Sequence, residues 1–333
     1  MTACVYYADQ SMHCWQQKES GMKRLLGAFA VWGVVFLTND TTVAERPNVL
    51  LVIADDMTYH DYGAYGSGMV RTPNIDRLAQ QGMLFQRMFT STAMCAPTRQ
   101  QLYTGVWPVQ NGAYPNHSRV YDEAKSWVHH FRDLGYRCGL AGKNHCKPAE
   151  AYPWEKVGES TEWGLDEIRE FISRDASQPF FLVAGHKDPH GPWNHGDTST
   201  YPPDEIEAPP YLVDTAQTRE ALSHYYAEIT YMDAQLGDVL AMVDESGQRD
   251  NTMVIFTSEQ GASFPFGGKW TCYETGLRTS FIVRWPALVK AGSTTGAMCQ
   301  YVDVLPTLIE AAGGDPHLID TGLSGGANDG REY

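Results

Sequence analysis

At 333 residues and 43% hydrophobic content, the chain carries enough apolar residues for a large core, which excludes a disordered or low-complexity protein. A formal charge of −15 excludes a general nucleic-acid or anionic-membrane surface, because a polyanion would be repelled on approach. An anionic substrate therefore needs a local basic pocket.

Residues 1–21 are polar and aromatic by turns and read as an extension upstream of the natural start. From Met22, the pair Lys23-Arg24, an apolar run Leu25–Leu37 and Thr42-Val43-Ala44 lay out a cleaved export signal over 22–44. The apolar run is too short to span a bilayer comfortably, so no stable membrane insertion is expected and the protein is placed as secreted or periplasmic. The folded domain is then 45–333. Setting aside Cys4 and Cys14 leaves Cys95, Cys138, Cys146, Cys272 and Cys299. This odd set points to one thiol reserved for chemistry, while the other four pair or stay buried. No Cys-x-x-Cys or Cys/His finger spacing occurs, which argues against structural zinc.

The first strand-like run, Asn48–Ala54, stops at Asp55-Asp56. Two carboxylates thus sit at the carboxyl edge of the predicted sheet, where open α/β folds bind ligands, although alone such a pair reads more readily as a solvated turn or N-cap. A helix is predicted over Asn74–Gln81. Cys95-Ala96-Pro97-Thr98-Arg99 then sets a thiol ahead of a proline suited to opening a helix, predicted over Pro97–Tyr103, with an arginine one turn on. Helix Trp127–Leu134 and strand Cys138–Ala141 lead into Gly142-Lys143-Asn144-His145. Helix Asp166–Arg174 and strand Phe180–Gly185 lead into Asp188-Pro189-His190-Gly191-Pro192. After a proline-rich loop over Tyr201–Pro210, an amphipathic helix runs from Thr218 to Asp244, with Tyr226, Ile229, Met232 and Leu236 on its apolar side. Strand Met253–Thr257 ends in Ser258-Glu259-Gln260-Gly261, followed by Gly268-Lys269, strand Phe281–Arg284, helix Leu305–Ala311 and a glycine-rich loop over Gly322–Gly330. This alternation implies one α/β domain, with parallel strands covered by helices.

Asp55, Asp56, Glu259 and Gln260 together are three carboxylates and an amide at two strand ends. Such hard oxygen donors suit calcium or magnesium, whereas zinc would call for histidine or thiolate. Calcium, one per chain, is the expected ion because its coordination is the more tolerant.

The segment Cys95 to Arg99 resembles the Cys-x-Pro-x-Arg signature of the sulfatases of the alkaline-phosphatase superfamily. Other landmarks follow in register from Pro47 to Arg331. Gly142 to His145 is similar to the family's Gly-Lys-x-His, Asp188 to Pro192 to its Pro-His-x-Pro, and Gly268-Lys269 before Tyr273-Glu274-Thr275-Gly276 to its second lysine motif. The resemblance implies an alkaline-phosphatase-like fold, with a large, mostly parallel central sheet flanked by helices. It also implies that the usual smaller C-terminal domain, which follows a segment like Asp329-Gly330-Arg331, is missing here.

The same resemblance implies that a formylglycine-generating or equivalent maturase oxidises Cys95, and that the hydrated aldehyde attacks sulfur. Cys95 would then join Asp55, Asp56, Glu259 and Gln260 around the metal. Arg99 would stabilise the nucleophile and metal site, Lys143 would bridge the nucleophile and a sulfate oxygen, His145 would take the second hydroxyl's proton, and His190 and Lys269 would assist the leaving group. A sulfate monoester presents three weakly basic oxygens, so several fixed cations bind it better than one strong base. Close by, they outweigh a screened and distant surface charge.

Glu259 and Gln260 stand where the family usually has Asp followed by Asn or His, a change that calcium's flexible coordination can absorb. Gln110–Tyr114, Gly142–Pro153 and His186–His190 resemble the sulfamidase branch (heparan N-sulfatase), while the Lys269 motif follows the general pattern. A sulfated carbohydrate is therefore the expected substrate, with ester and sulfamate both open. The competing readings are a phosphodiesterase or phosphonate monoester hydrolase of the same superfamily, and a catalytically inactive glycan-binding homologue.

Overall fold

Seven consecutive buried residues, Asn48–Ala54, form the first strand (β1) near the middle of the sheet. A strand covered on both faces needs apolar side chains at nearly every position, and Val49 to Ala54 supply them. The computed structural model describes residues 46–158, 162–265 and 267–323, which fall within one compact unit. The expected leader over 1–21, the export segment over 22–44 and the Asp329-Gly330-Arg331 segment lie outside the described residues.

In chain order the further strands are Met83–Phe89 (β2), Arg137–Gly142 (β3), Glu155–Val157 (β4), Phe180–Gly185 (β5), Thr252–Ser258 (β6), Arg278–Thr279 (β7), Phe281–Arg284 (β8) and Ser293–Gln300 (β9). The main helices are Pro73–Gln81 (α1), Cys95–Thr104 (α2), Trp127–Asp133 (α3), Leu165–Ser173 (α4), Ala216–Glu245 (α5) and Val304–Ala311 (α6). The strands form one nine-stranded sheet in the order β4-β3-β5-β1-β6-β8-β2-β7, with β9 beside β2. From β4 to β6 all pairs are parallel. β8 is antiparallel to both β6 and β2, and β7 to β2, while β9 runs parallel to β2, so the sheet is mostly parallel, as expected from the sequence, with an antiparallel break at β8. The physical reason is the connection: among the described residues a four-residue helix, Glu274–Leu277, is the only helix between β6 and β7, and none of crossover length carries the chain back across the sheet.

Alternate residues of β1 face two helical layers. Leu50, Val52 and Ala54 pack in one cluster with Ile75 and Leu78 of α1, Ile168 and Phe171 of α4, and Ile229, Met232 and Leu236 of α5. Val49, Leu51 and Ile53 share the other with Tyr103 of α2, Trp127 and Phe131 of α3, and Leu305 and Leu308 of α6. α5 also supplies a cap. Its buried Asp233 accepts the α1 backbone N–H groups of Asn74 at 3.0 Å and Ile75 at 2.8 Å, where α1 has no side-chain N-cap of its own.

Cys95, Cys138, Cys146, Cys272 and Cys299 are all free thiols, so the pairing left open for four of them does not occur, and Cys272 is exposed. Among the described residues no helix is long and apolar enough to cross a membrane.

Candidate active site

The carboxyl ends of the parallel strands deliver the predicted residues to one place. β1 ends at Asp55 and Asp56, β3 at Lys143 and His145, β5 ahead of His190, and β6 at Glu259 and Gln260. α2 begins at Cys95, two residues earlier than predicted, so Pro97 lies inside its first turn where an amide donor is not needed. All ten of its residues are buried, and its positive-φ Gly105 ends it.

Contacts tie these ends together. Lys143 forms an ion pair with Asp55, and Arg99 with Glu259, both carboxylates being fully buried. Arg99 also donates to the Lys143 carbonyl at 2.9 Å. Lys269 Nζ donates to Asp56 Oδ2 at 2.7 Å, Gln260 Nε2 donates to Asp56 Oδ1 at 2.5 Å, and His190 Nε2 lies 3.7 Å from Asp56 Oδ2. Gly185 makes room for this: a Cβ there would lie 2.4 Å from the Lys143 carbonyl oxygen and 2.7 Å from Arg99 Nη1. The backbone carries strain at the same place. Among the described residues the non-glycine positions with positive φ are Asp56, His117, His145 and Trp270, and each either belongs to this cluster or touches it.

Burial and neighbouring charge oppose one another at Lys143, Lys269 and Glu259. Burial works against the charge on Lys143, but Glu259 and Asp55 outweigh it and raise its pKa, and Asp56 does the same for Lys269. Burial disfavours the Glu259 carboxylate more than Arg99 favours it, with Asp55 adding repulsion, so its pKa is raised. Burial first, then Glu259, pushes the Cys95 thiol up to about 11. Burial first, then Lys143, lowers His145 to about 4, so its imidazole is neutral at physiological pH.

The donor set fits a hard divalent cation. Asp55 Oδ1, Glu259 Oε2 and Gln260 Oε1 are buried without a hydrogen-bond partner, and ligand atoms of Asp55, Cys95 and Glu259 all lie within 4.8 Å of one another. Two neighbours escaped the sequence reading. Asn116 Oδ1 lies 3.8 Å from Cys95 Sγ, and His117 Nδ1 lies 2.9 Å from His145 Nε2. Both sit in a polar loop just beyond the Gln110–Tyr114 stretch, and no signal in that loop's sequence singled them out.

The sulfatase family model matches residues 47–314. The chain is 36% identical over 289 residues to an ulvan-active sulfatase of Formosa agariphila, an alignment covering 84% of this chain and 56% of that protein. It is 29% identical over 307 residues to human N-sulphoglucosamine sulphohydrolase, covering 80% and 61%. The chain thus spans less than two thirds of the length of either relative. A sulfatase from Pseudoalteromonas sp. superposes with a TM-score of 0.63 at 23% identity, covering 82% of this chain and 69% of that one. The phosphonate monoester hydrolase of Agrobacterium radiobacter gives 0.67 at 21% identity, covering 80% and 74%. At these identities the likeness shows the fold, the alkaline-phosphatase-like arrangement expected from the sequence.

Proposed function

The chain belongs to the sulfatase family, and from that premise we propose that it hydrolyses a sulfate ester or sulfamate of a glycan. The observation that carries this reading is the convergence of Arg99, Lys143, Lys269 and His190 on buried carboxylates around Cys95, in a chain whose net charge is −15. A tetrahedral oxyanion bearing weakly basic oxygens is the ligand such a set of cations suits.

Asp55, Asp56, Glu259 and Gln260, with residue 95, would hold calcium; together with a formylglycine made from Cys95 it would supply an activated hydroxyl nucleophile and charge stabilisation. Lys143 and Lys269 bind the sulfate oxygens and are kept charged by their carboxylate partners. Arg99, buried and held by Glu259 and the Lys143 carbonyl, fixes the start of α2 so that residue 95 faces the carboxylates. His145 is neutral and able to accept a proton, and the exposed His117 beside it can pass that proton to solvent. His190 and Lys269, both on Asp56, serve the leaving group.

A saccharide substrate is favoured by Trp270, which is 65% exposed with its ring centroid 5.2 Å from Lys269 Nζ, an aromatic face at the rim of a charged pocket. The human relative's name specifies a sulfated amino sugar, and ester and sulfamate are both within this reading. Maturation by a formylglycine-generating enzyme would accompany export, guided by residues 22–44. The test is sulfate release, followed by ion chromatography, from sulfated oligosaccharides with and without calcium. Matched phosphodiesters and phosphonate monoesters are run beside them. Calcium-dependent sulfate release supports the proposal. Faster phosphodiester or phosphonate hydrolysis, or glycan binding without turnover in protein carrying formylglycine, overturns it.

A further inference from the structure

A second cluster lies just ahead of His190. Asp188 is 2% exposed, and its Oδ2 lies 2.9 Å from His195 Nδ1. That nitrogen also lies 3.4 Å from Oε1 of Glu228, which projects from α5 and is 1% exposed. Both Glu228 oxygens and Asp188 Oδ1 are buried without a hydrogen-bond partner, and ligand atoms of the three residues lie within 4.8 Å of one another. Two carboxylates buried at this range repel one another and have lost their hydration, which calls for a cation or a shared proton between them. His186 does not turn a donor toward that charge: its Nδ1 accepts the Asp188 backbone N–H at 2.9 Å, and its Nε2 lies 2.9 Å from Gln235 Oε1. Lys187 reaches toward Glu162, 3.9 Å away.

We propose that Asp188, His195 and Glu228 form a second metal site, for a zinc-class divalent ion, that fastens the loop carrying His190 to α5. The ligand types decide the class, since an imidazole with two carboxylates suits zinc or a similar transition ion and is foreign to calcium. The spacing agrees. Bonds of about 2.0 Å to a tetrahedral ion place neighbouring ligand atoms about 3.3 Å apart, and the observed separations of 2.9 and 3.4 Å bracket that edge. His195, whose side chain is 27% exposed, gives access from solvent and leaves a fourth position for water. The consequence reaches the strand ends, because the Asp55 backbone N–H donates to the Asp188 carbonyl at 3.2 Å.

The experiment counts metal and needs no turnover, so its outcome is separate from that of the sulfatase reading. Chelator-stripped wild type, Glu228→Gln and His195→Ala are dialysed against zinc chloride, and bound zinc is measured by plasma mass spectrometry. Wild type should retain about one equivalent more than either variant. Cobalt(II) loading should give the absorption bands of a four-coordinate site that Glu228→Gln lacks. Glu228→Gln keeps the side chain's shape, and its far-UV circular dichroism checks that it folds. Equal zinc uptake by wild type and Glu228→Gln overturns the proposal. So does a wild type that takes up no zinc here and instead shows an infrared band of a protonated carboxyl lost in Glu228→Gln, which would assign the pair to a shared proton.

Discussion

Replacing Arg99 with methionine should destabilise the metal-free protein far more at alkaline than at acidic pH. Arg99 and Glu259 are both 0% exposed, so the variant leaves a carboxylate in the interior with its guanidinium gone. Removing one partner of such a pair costs about 3–5 kcal/mol, and the 2.9 Å bond from Arg99 to the Lys143 carbonyl is lost as well. Burial already holds the Glu259 pKa above its ordinary value of 4.5 with Arg99 present, and without the guanidinium it rises further. A carboxyl whose folded pKa exceeds its unfolded value favours the protonated fold. The penalty is therefore small below the unfolded pKa and grows as pH climbs toward the folded one. Calorimetry in chelator from about pH 5 to about pH 8 should show the Tm gap between wild type and Arg99→Met widening. At the alkaline end it should reach about 6–20 °C, from about 2–4 °C per kcal/mol for a domain of this size. Arg99→Met/Glu259→Leu should recover part of the loss, because no charge is left stranded. A gap that does not change with pH, or a double variant that loses the sum of the two single losses, would refute the reasoning.

Carbon-13 NMR of labelled histidine should place His145 near about 4. Because that lies below the unfolded value of 6.5, the fold favours neutral imidazole, and His145's share of stability is lost as pH falls from 6.5 toward about 4. Lys143→Met should raise the His145 value, and no change would separate the two residues. Calcium at a hundred times its Kd should stabilise wild type by about 2.7 kcal/mol, with a smaller Tm gain in Glu259→Gln; equal gains would remove Glu259 from the metal site. Asp233→Ala should cost about 1–2 kcal/mol through loss of the α1 cap, read from urea melts, and an unchanged midpoint would contradict the capping role. Trp270→Ala should raise KM for a sulfated oligosaccharide while leaving kcat/KM for a small aryl sulfate within about twofold. Equal loss on both substrates would place Trp270 in the general architecture of the site instead of a sugar subsite.

The central strands were legible because burial on both faces writes itself as an unbroken apolar run: Asn48–Ala54 and Phe180–Gly185 appear with the predicted bounds. Helix α5 was legible from the three-to-four spacing of Tyr226, Ile229, Met232 and Leu236, all buried. The far side of the sheet was not. β9, Ser293–Gln300, is a polar strand with no buried residue, and β2 exposes Gln86 and Arg87 in mid-strand, so neither carries the pattern of a covered strand. Backbone hydrogen bonding to each other holds them, through pairs such as Met88 with Cys299. At the site, single residues at strand ends were readable because strand ends are where α/β sheets place ligands. Asn116, His117 and the Glu228 carboxyl were not. Nothing local in a polar loop or mid-helix glutamate says which distant side chain it will meet.

Mass spectrometry of the peptide spanning residue 95, from protein made alongside its maturation enzyme, tests the catalytic assignment most directly. Formylglycine at position 95 is the expected result, in the same preparation that releases sulfate. An intact Cys95 thiol in a preparation that still releases sulfate would contradict it.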